Sequence, residues 1–270
     1  MNKSIGFVTN LEAHFPSDWW TNYFNEFYLQ TDGDVVENPD NTVREVNLLI
    51  EVAHLKPEHK IVDLCCGQGR HCIELARRGF QNINGIDYSE YLINLARQRA
   101  KDEKLSINFE QQDIRLGMPK NPVDCITMLG NSFGYFDNEK DDFEVIKTSA
   151  EALHPEGKLV MHFLDAYWVK KHFHPQTWEW INQDTLVCRE RALNADKNRL
   201  LSRVMIFHLE KGLINERFIA YRLYTKEHIQ EMLEKVGFTS IHYYNPAALV
   251  SDRHQDLGMM SHLMLLTASK

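Results

Sequence analysis

Long apolar stretches are absent from this chain. No run approaches the ~18 uninterrupted apolar residues of a membrane-spanning helix, and the opening residues from Met1 to Val8 lack the apolar core of a secretory signal. No membrane partner is therefore expected. An excess of positive charge is also absent: 30 Lys and Arg stand against 38 Asp and Glu, a formal net charge of −8. A protein that holds duplex nucleic acid needs a basic face to displace condensed counterions, so no nucleic-acid partner is expected. Internal repeats and low-complexity segments are missing as well. Cysteine is scarce and odd in number, at five, which fits a reduced, cytoplasmic setting better than a disulfide framework. Cys65, Cys66 and Cys72 lie close to His71, but their spacing matches no common zinc pattern, and no metal is predicted.

What is present is the material of one large core. Of the 270 residues, 43% are hydrophobic and 25% charged, the balance of a globular domain. Residues 1–55 read as a helical cap outside the main pattern. Residues 18–28 are crowded with aromatics (Trp19, Trp20, Tyr23, Phe24, Phe27, Tyr28), spaced for a helix packed on the core or for a lid. A second helix is predicted to open with Thr42 and Glu45 as a capping box, with Val43, Val46, Leu49, Ile50 and Ala53 on one face.

From Lys60 the periodicity alternates. Strands predicted at 61–64, 82–86, 105–110, 123–129 and 157–164 are separated by helices at 70–78, from Ser89 onward, and at 138–153. That rhythm means βαβ units and a parallel, doubly wound sheet, an α/β Rossmann-like core over 56–165. Residues 166–224 break it with long β segments at 200–209 and 213–224, which predict an antiparallel β insertion. Residues 225–270 return to the core with a helix stopped by Gly237 and strands at 240–244 and 262–268.

The first strand runs into Asp63-Leu64-Cys65-Cys66-Gly67-Gln68-Gly69-Arg70. A glycine-rich turn between strand and helix lets backbone N–H groups approach a ligand closely. A dinucleotide site wants a third glycine, where Cys72 stands, and a phosphate loop wants Gly-Lys-Ser/Thr, where Gly69-Arg70-His71 stands. Asp63 would repel a phosphate but can reach an ammonium directly or through water, and an acid at the end of an apolar strand is expensive without a partner. Asp87 closes the second strand, 18 residues after Gly69, where a carboxylate can accept from both hydroxyls of a ribose. Tyr88 can cover the face of an adenine whose amino hydrogens Asp113 accepts. Together these demands describe S-adenosylmethionine.

The run Asp63…Gly67-x-Gly69…Asp87…Asp113 resembles the class I S-adenosylmethionine-dependent methyltransferase family over about residues 56–165, and again in the final helix and strands. The resemblance implies a seven-stranded sheet with its last strand antiparallel and the cofactor across the carboxyl edge. By position, Gly67 and Gly69 would form the methionine-side turn, with Cys65 and Arg70 beside it. Asp87 would hold the ribose, Gln112, Asp113 and Ile114 the adenine, and Leu129 and Asn131 would complete the contacts. The stretch Leu129-Gly130-Asn131-Ser132-Phe133-Gly134-Tyr135 falls where the family places the methyl group and the incoming substrate. It is not the Asn/Asp-Pro-Pro-Tyr/Phe element of many DNA- and protein-amide-methylating enzymes. With Asp-Leu-x-Cys-Gly-x-Gly-Arg-His, it looks most like bacterial small-molecule methyltransferases.

The implied activity is in-line transfer of a methyl group to an oxygen or nitrogen of a small-molecule acceptor. An RNA methyltransferase, a non-catalytic S-adenosylmethionine-binding module and a nicotinamide-dependent oxidoreductase stay open as alternatives. Candidates for a base or an acceptor-binding group are Tyr135, Asp165 at the end of the fifth strand, and His254, flanked by Asp252, Arg253 and Asp256. His172, His174, Trp168, Trp178 and Trp180 fall beyond the fifth strand or beside the insertion, on the expected acceptor side, whereas His162, inside that strand, reads as a core histidine. Nothing in the sequence bears on the oligomeric state.

Overall fold

The structure, a computed structural model, describes residues 6–8, 10–118, 121–253 and 258–270. Strand β1 (Lys60–Leu64) is buried after its first residue and pairs in parallel with β2 (Asn82–Asp87) on one side and β4 (Val123–Met128) on the other. β3 (Asn108–Gln111) extends the sheet beyond β2 and β5 (Leu153–Leu164) extends it beyond β4. β10 (Ser240–Tyr244) and β11 (Leu263–Ser269) complete an order of β10-β11-β5-β4-β1-β2-β3, with β11 antiparallel to both neighbours. This is the doubly wound, seven-stranded sheet with an antiparallel last strand that the sequence implied.

Alternation along the strands divides the core between two faces. Val62, Leu64, Ile126 and Met128 join one cluster with α6 (Glu139–Ala152) and α8 (Lys226–Lys235). Ile61, Cys125 and Val160 join the other with α3 (Pro39–Ala53), α4 (Arg70–Arg77) and α5 (Glu90–Asp102). The strands after β1 are laid down first to one side and then to the other. The loops that leave β1 and β4 therefore diverge, and they open a crevice at the carboxyl edge.

Two expectations for the first 55 residues are corrected. Helix α3 opens at Pro39, and its cap is Asn38, whose Oδ1 accepts from the amides of Asp40 and Asn41 at 2.9 and 3.2 Å. Proline at the first helical position is preorganised and needs no N–H, so the Asn38-Pro39 start takes precedence over the Thr42/Glu45 box. Those two residues lie inside the helix and are buried.

The aromatic segment is also not one helix. It is a single turn, α1 (Trp20–Tyr23), followed by α2 (Glu26–Val36), which is capped by Asn25. Trp19 and Tyr23 bury themselves on a second, four-stranded antiparallel sheet made of β6 (Gln176–Trp180), β7 (Thr185–Leu193), β8 (Arg199–His208) and β9 (Gly212–Arg222). Arg217 of β9 fastens them there. It donates to the carbonyls of Tyr23 and Phe27 at 3.1 Å and to the Thr31 hydroxyl at 2.5 Å, and it lies 4.2 Å from the centre of the Tyr23 ring. Helix α7 (Ala166–His172) links the two sheets. No helix among the described residues is long and apolar enough to cross a membrane.

One glycine of the motif answers to packing. Gly69 has φ +75°, and a Cβ there would stand 2.7 Å from Phe109 Cζ and 2.9 Å from Ala96 Cβ. Gly69→Ala is expected to lose about 2–5 kcal/mol, combining left-handed strain with overpacking. Gly79→Ala, with φ +91° but nothing within 4 Å, should lose only the strain of about 1–2 kcal/mol. Equal melting temperatures for the two variants in calorimetry would refute the packing role.

Candidate active site

The chain leaves β1 through Cys65 and Gly67, both left-handed at φ 56° and 57°. The Gly67 amide donates to Oδ2 of Asp87 at 2.8 Å, and the Ser89 amide donates to Oδ1 at 2.8 Å. Asp87 thus ties the turn to the neighbouring strand, and both oxygens retain acceptor capacity. Burial pushes its carboxyl up to about 6.

Around Asp87 lies a narrow cavity of about 90 Å³. Cys65, Gly67, Asp87, Tyr88, Leu92, Gln112, Asp113 and Ile114 wall it from the main sheet. Gly130, Ser132, Tyr135 and Phe136 close it from the loop after β4, and Trp20, Phe24 and Tyr28 cover it from the N-terminal segment. Asp113 caps the 3-10 turn Ile114–Leu116 and pairs with Arg115 at 2.6 Å; the Arg115 guanidinium lies 4.9 and 4.6 Å from the ring centres of Trp20 and Phe136. Tyr88 meets Trp20 edge-on at 4.7 Å. The sequence candidates Cys65, Gly67, Asp87, Tyr88, Gln112, Asp113, Ile114 and Tyr135 therefore share one cavity.

Other candidates lie elsewhere. Asp63 is 2% exposed, and its oxygens accept from the Thr127 hydroxyl at 2.5 Å and the Cys72 thiol at 3.5 Å. The buried acid thus has partners within the protein, and the residue in place of a third glycine is one of them. Burial pushes its carboxyl up. Arg70, expected beside the methionine-side turn, is instead ion-paired with Glu45, with Nη2 at 3.2 Å from Oε1, and donates to Thr42 Oγ1 at 3.3 Å. Glu45 also contacts His71 Nε2 at 3.2 Å. Burial alone would raise the Glu45 carboxyl, but Arg70 and His71 together hold it well below the usual range.

Gly69 and Leu129 face the core. Asp165 caps α7, accepting from the amides of Tyr167 and Trp168 at 2.9 and 3.0 Å. His162 is buried in β5, and burial pulls it down to about 4. His254 and Asp256 fall outside the described residues.

A second, much larger cavity of about 930 Å³ opens between α2, α7 and the second sheet. Asn131, left-handed at φ 61° and held by the Leu164 amide on its Oδ1 at 3.0 Å, lines it. Gly130 and Ser132, on either side, line the smaller cavity. Tyr135 stacks on Phe24 at 5.8 Å and meets Tyr221, on the wall of the larger cavity, at 5.9 Å. The two cavities share one thin partition.

Trp20, Phe24 and Tyr28 take the lid reading of the aromatic segment, whereas sequence reasoning passed over Leu92 in the smaller cavity and Arg189 and Arg191 in the larger one. A signal for the aromatic cover was present, since Trp20, Phe24 and Tyr28 recur every four residues.

The smaller cavity suits a nucleoside joined to a cationic amino acid. Gly67 leaves open space, with Leu92 Cδ1 the nearest atom to a built Cβ at 3.9 Å. Asp87 offers acceptors for a ribose, and Leu92 and Ile114 offer apolar faces for a base. Among the described residues neither Lys nor Arg lines it to meet a pyrophosphate. This is the chemistry of a class I S-adenosylmethionine-dependent methyltransferase, and residues 61–157 match the family described as a methyltransferase domain. Residues 61–157 are thus a methyltransferase domain, of the kind that takes S-adenosylmethionine as its cofactor.

Among curated proteins it is similar to "Putative methyltransferase YqeM" of Bacillus subtilis, at 28% identity over 69% of this chain and 76% of that protein. It spans 43% of the length of other curated methyltransferases it matches. Among solved structures it is similar to an S-adenosylmethionine-dependent methyltransferase from Clostridium acetobutylicum, with a TM-score of 0.73, 15% identity, and 90% and 96% of the two chains covered. It is also similar to the sugar N-methyltransferase KedS8 from Streptoalloteichus sp, with a TM-score of 0.65, 15% identity, and 100% and 99% covered.

Asp87→Ala is expected to weaken S-adenosylhomocysteine binding by about 1–3 kcal/mol through lost charged hydrogen bonds; unchanged affinity in a folded variant would remove Asp87 from the site. Because burial raises the Asp87 carboxyl above its usual 3.8, the ligand-free fold holds this proton more tightly than the unfolded chain. The group therefore lowers stability as pH rises from 3.8 through about 6. Ribose binding needs the ionised form, so affinity measured by calorimetry should fall as pH drops through about 6. Asp87→Asn should remove that inflection.

Proposed function

We propose that the chain transfers a methyl group from S-adenosylmethionine in the smaller cavity to an oxygen or nitrogen of a small molecule in the larger one. The observation that carries this reading is the loop 130–132, which turns alternate residues to the two cavities. A donor and an acceptor held on either side of it are neighbours at its edge, where the acceptor atom must meet the methyl carbon directly as the carbon–sulfur bond breaks. The larger cavity falls within the roughly 300–1,000 Å³ typical of small-molecule sites. The fold match to a sugar N-methyltransferase extends over the whole chain, second sheet included, and supports a small acceptor. The net charge of −8 speaks against RNA. A binding module without catalysis would have no use for the second cavity.

When bound, the cofactor supplies an electrophilic methyl group on a sulfonium, so the protein needs mainly to align and to exclude water. Orientation of this kind contributes on the order of 7–11 kcal/mol. The Gly67 amide and Asp87 fix the donor end. Trp20, Phe24 and Tyr28 exclude water from it. Burial pushes the Tyr135 phenol well above its usual range, so it stays protonated in the wall of the smaller cavity and does not remove a proton from the acceptor. Residues 1–55 then act as cover and 166–224 as the acceptor side. At about 90 Å³ the smaller cavity lies below the range for enclosed ligands, so the three aromatic rings move outward when the nucleoside enters.

Methyl-labelled cofactor incubated with pooled metabolites, RNA and protein tests the proposal. Label in the small-molecule fraction supports it, and label confined to RNA or protein overturns it. S-adenosylhomocysteine should also slow amide hydrogen exchange across residues 19–28; equal exchange with and without it would rule out the cover.

A further inference from the structure

We propose that the larger cavity selects an acceptor that carries an acidic group, a carboxylate or a phosphate, and holds that group on the guanidinium of Arg191 with Arg189 beside it. The proposal rests on the reading of this cavity as the acceptor site.

Arg189 and Arg191 are alternate residues of β7, so both side chains leave the same face of the second sheet, and both line the cavity. Their surroundings differ. Arg189 is ion-paired with Glu179 and lies in the field of Asp32, so its charge is balanced. Arg191 makes no ion pair among the described residues. Its Nη1 donates to the His174 carbonyl at 3.2 Å and to Thr177 Oγ1 at 3.0 Å, which fixes the plane of the fork. Its Nε and Nη2 have no hydrogen-bond partner among the described residues.

Burial, reinforced by the neighbouring Arg189 charge, brings the Arg191 guanidinium down to about 10. Arg191 is partly buried and shares the field of Glu179 with Arg189, which is paired to it; a cation so incompletely balanced is unfavourable, and an anionic ligand relieves the imbalance. The planar fork with two free donors matches a carboxylate or phosphate edge. The nearby phenols do not supply the missing charge, because burial raises both Tyr23 and Tyr221 and keeps them neutral. These rings and Trp168 give one part of the cavity an aromatic surface, while Asp32, Asp34 and Lys171 line another part, so the acceptor carries an apolar or aromatic portion as well as the acid.

The test uses the whole chain saturated with S-adenosylhomocysteine and ligand-observed NMR with benzoate, phenyl phosphate and benzyl alcohol as probes. At least one acidic probe should bind about tenfold or more tightly than the neutral alcohol. Arg191→Gln should abolish that preference while S-adenosylhomocysteine affinity stays unchanged. Should that variant fail to fold, Arg191→Lys, which keeps the charge but not the fork, should reduce the preference severalfold. The acid that binds identifies the group. Equal binding of all three probes, binding of none, or a preference undiminished in the Arg191 variants overturns the inference. Failure of the wild-type chain to bind S-adenosylhomocysteine is a separate result, which would overturn the methyltransferase reading itself.

Discussion

The hydrogen bond from the Gly67 amide to Asp87 is the contact on which the smaller cavity depends. It joins the turn leaving β1 to the end of β2, two adjacent parallel strands whose loops otherwise diverge. The same carboxylate accepts from Ser89, and Ser89 in turn caps α5 through Leu92 and donates to the Phe24 carbonyl at 2.6 Å. A single acid thereby sets the turn, the following helix and the point at which the aromatic cover attaches. An isolated buried carboxylate is unfavourable, and the amides of Gly67 and Ser89 give Asp87 its reason to stay.

The N-terminal segment divides its allegiance. Helix α3 belongs to the main sheet, where Glu45 meets Arg70 and His71 at the start of α4. Helices α1 and α2 belong to the second sheet, where Arg217 holds three of their oxygens. The short link between α2 and α3 therefore bridges two layers, and the crevice between those layers is where both cavities lie.

The sheet was legible because its cause is local. Alternation in the strands, Ser89 as a cap and glycine at the first turn are consequences of neighbouring residues. The cofactor turn was legible for the same reason, and its chemistry could be argued from Asp87 and from the absence of phosphate-binding residues. What escaped depends on partners distant in sequence. Nothing near Asp63 announces that Thr127, 64 positions away, satisfies it. Nothing near Arg70 points to Glu45 on a helix that opens before the motif. The capping box at Thr42 was lost to a better local start, Asn38-Pro39, and its Glu was free to pair elsewhere. Arg191 carried no sequence signal at all, because its meaning lies in a counter-charge that the fold leaves out.

Helix α2 contributes Tyr28 to the smaller cavity and Asp32, Asp34 and Val35 to the larger. One rigid rod thus forms a boundary of two compartments. Any displacement that the first guest imposes on it alters the room left for the second, and thermodynamic reciprocity requires the converse by the same factor. The two compartments are thereby coupled through one helix, so a change of shape in one wall is a change of shape in the other.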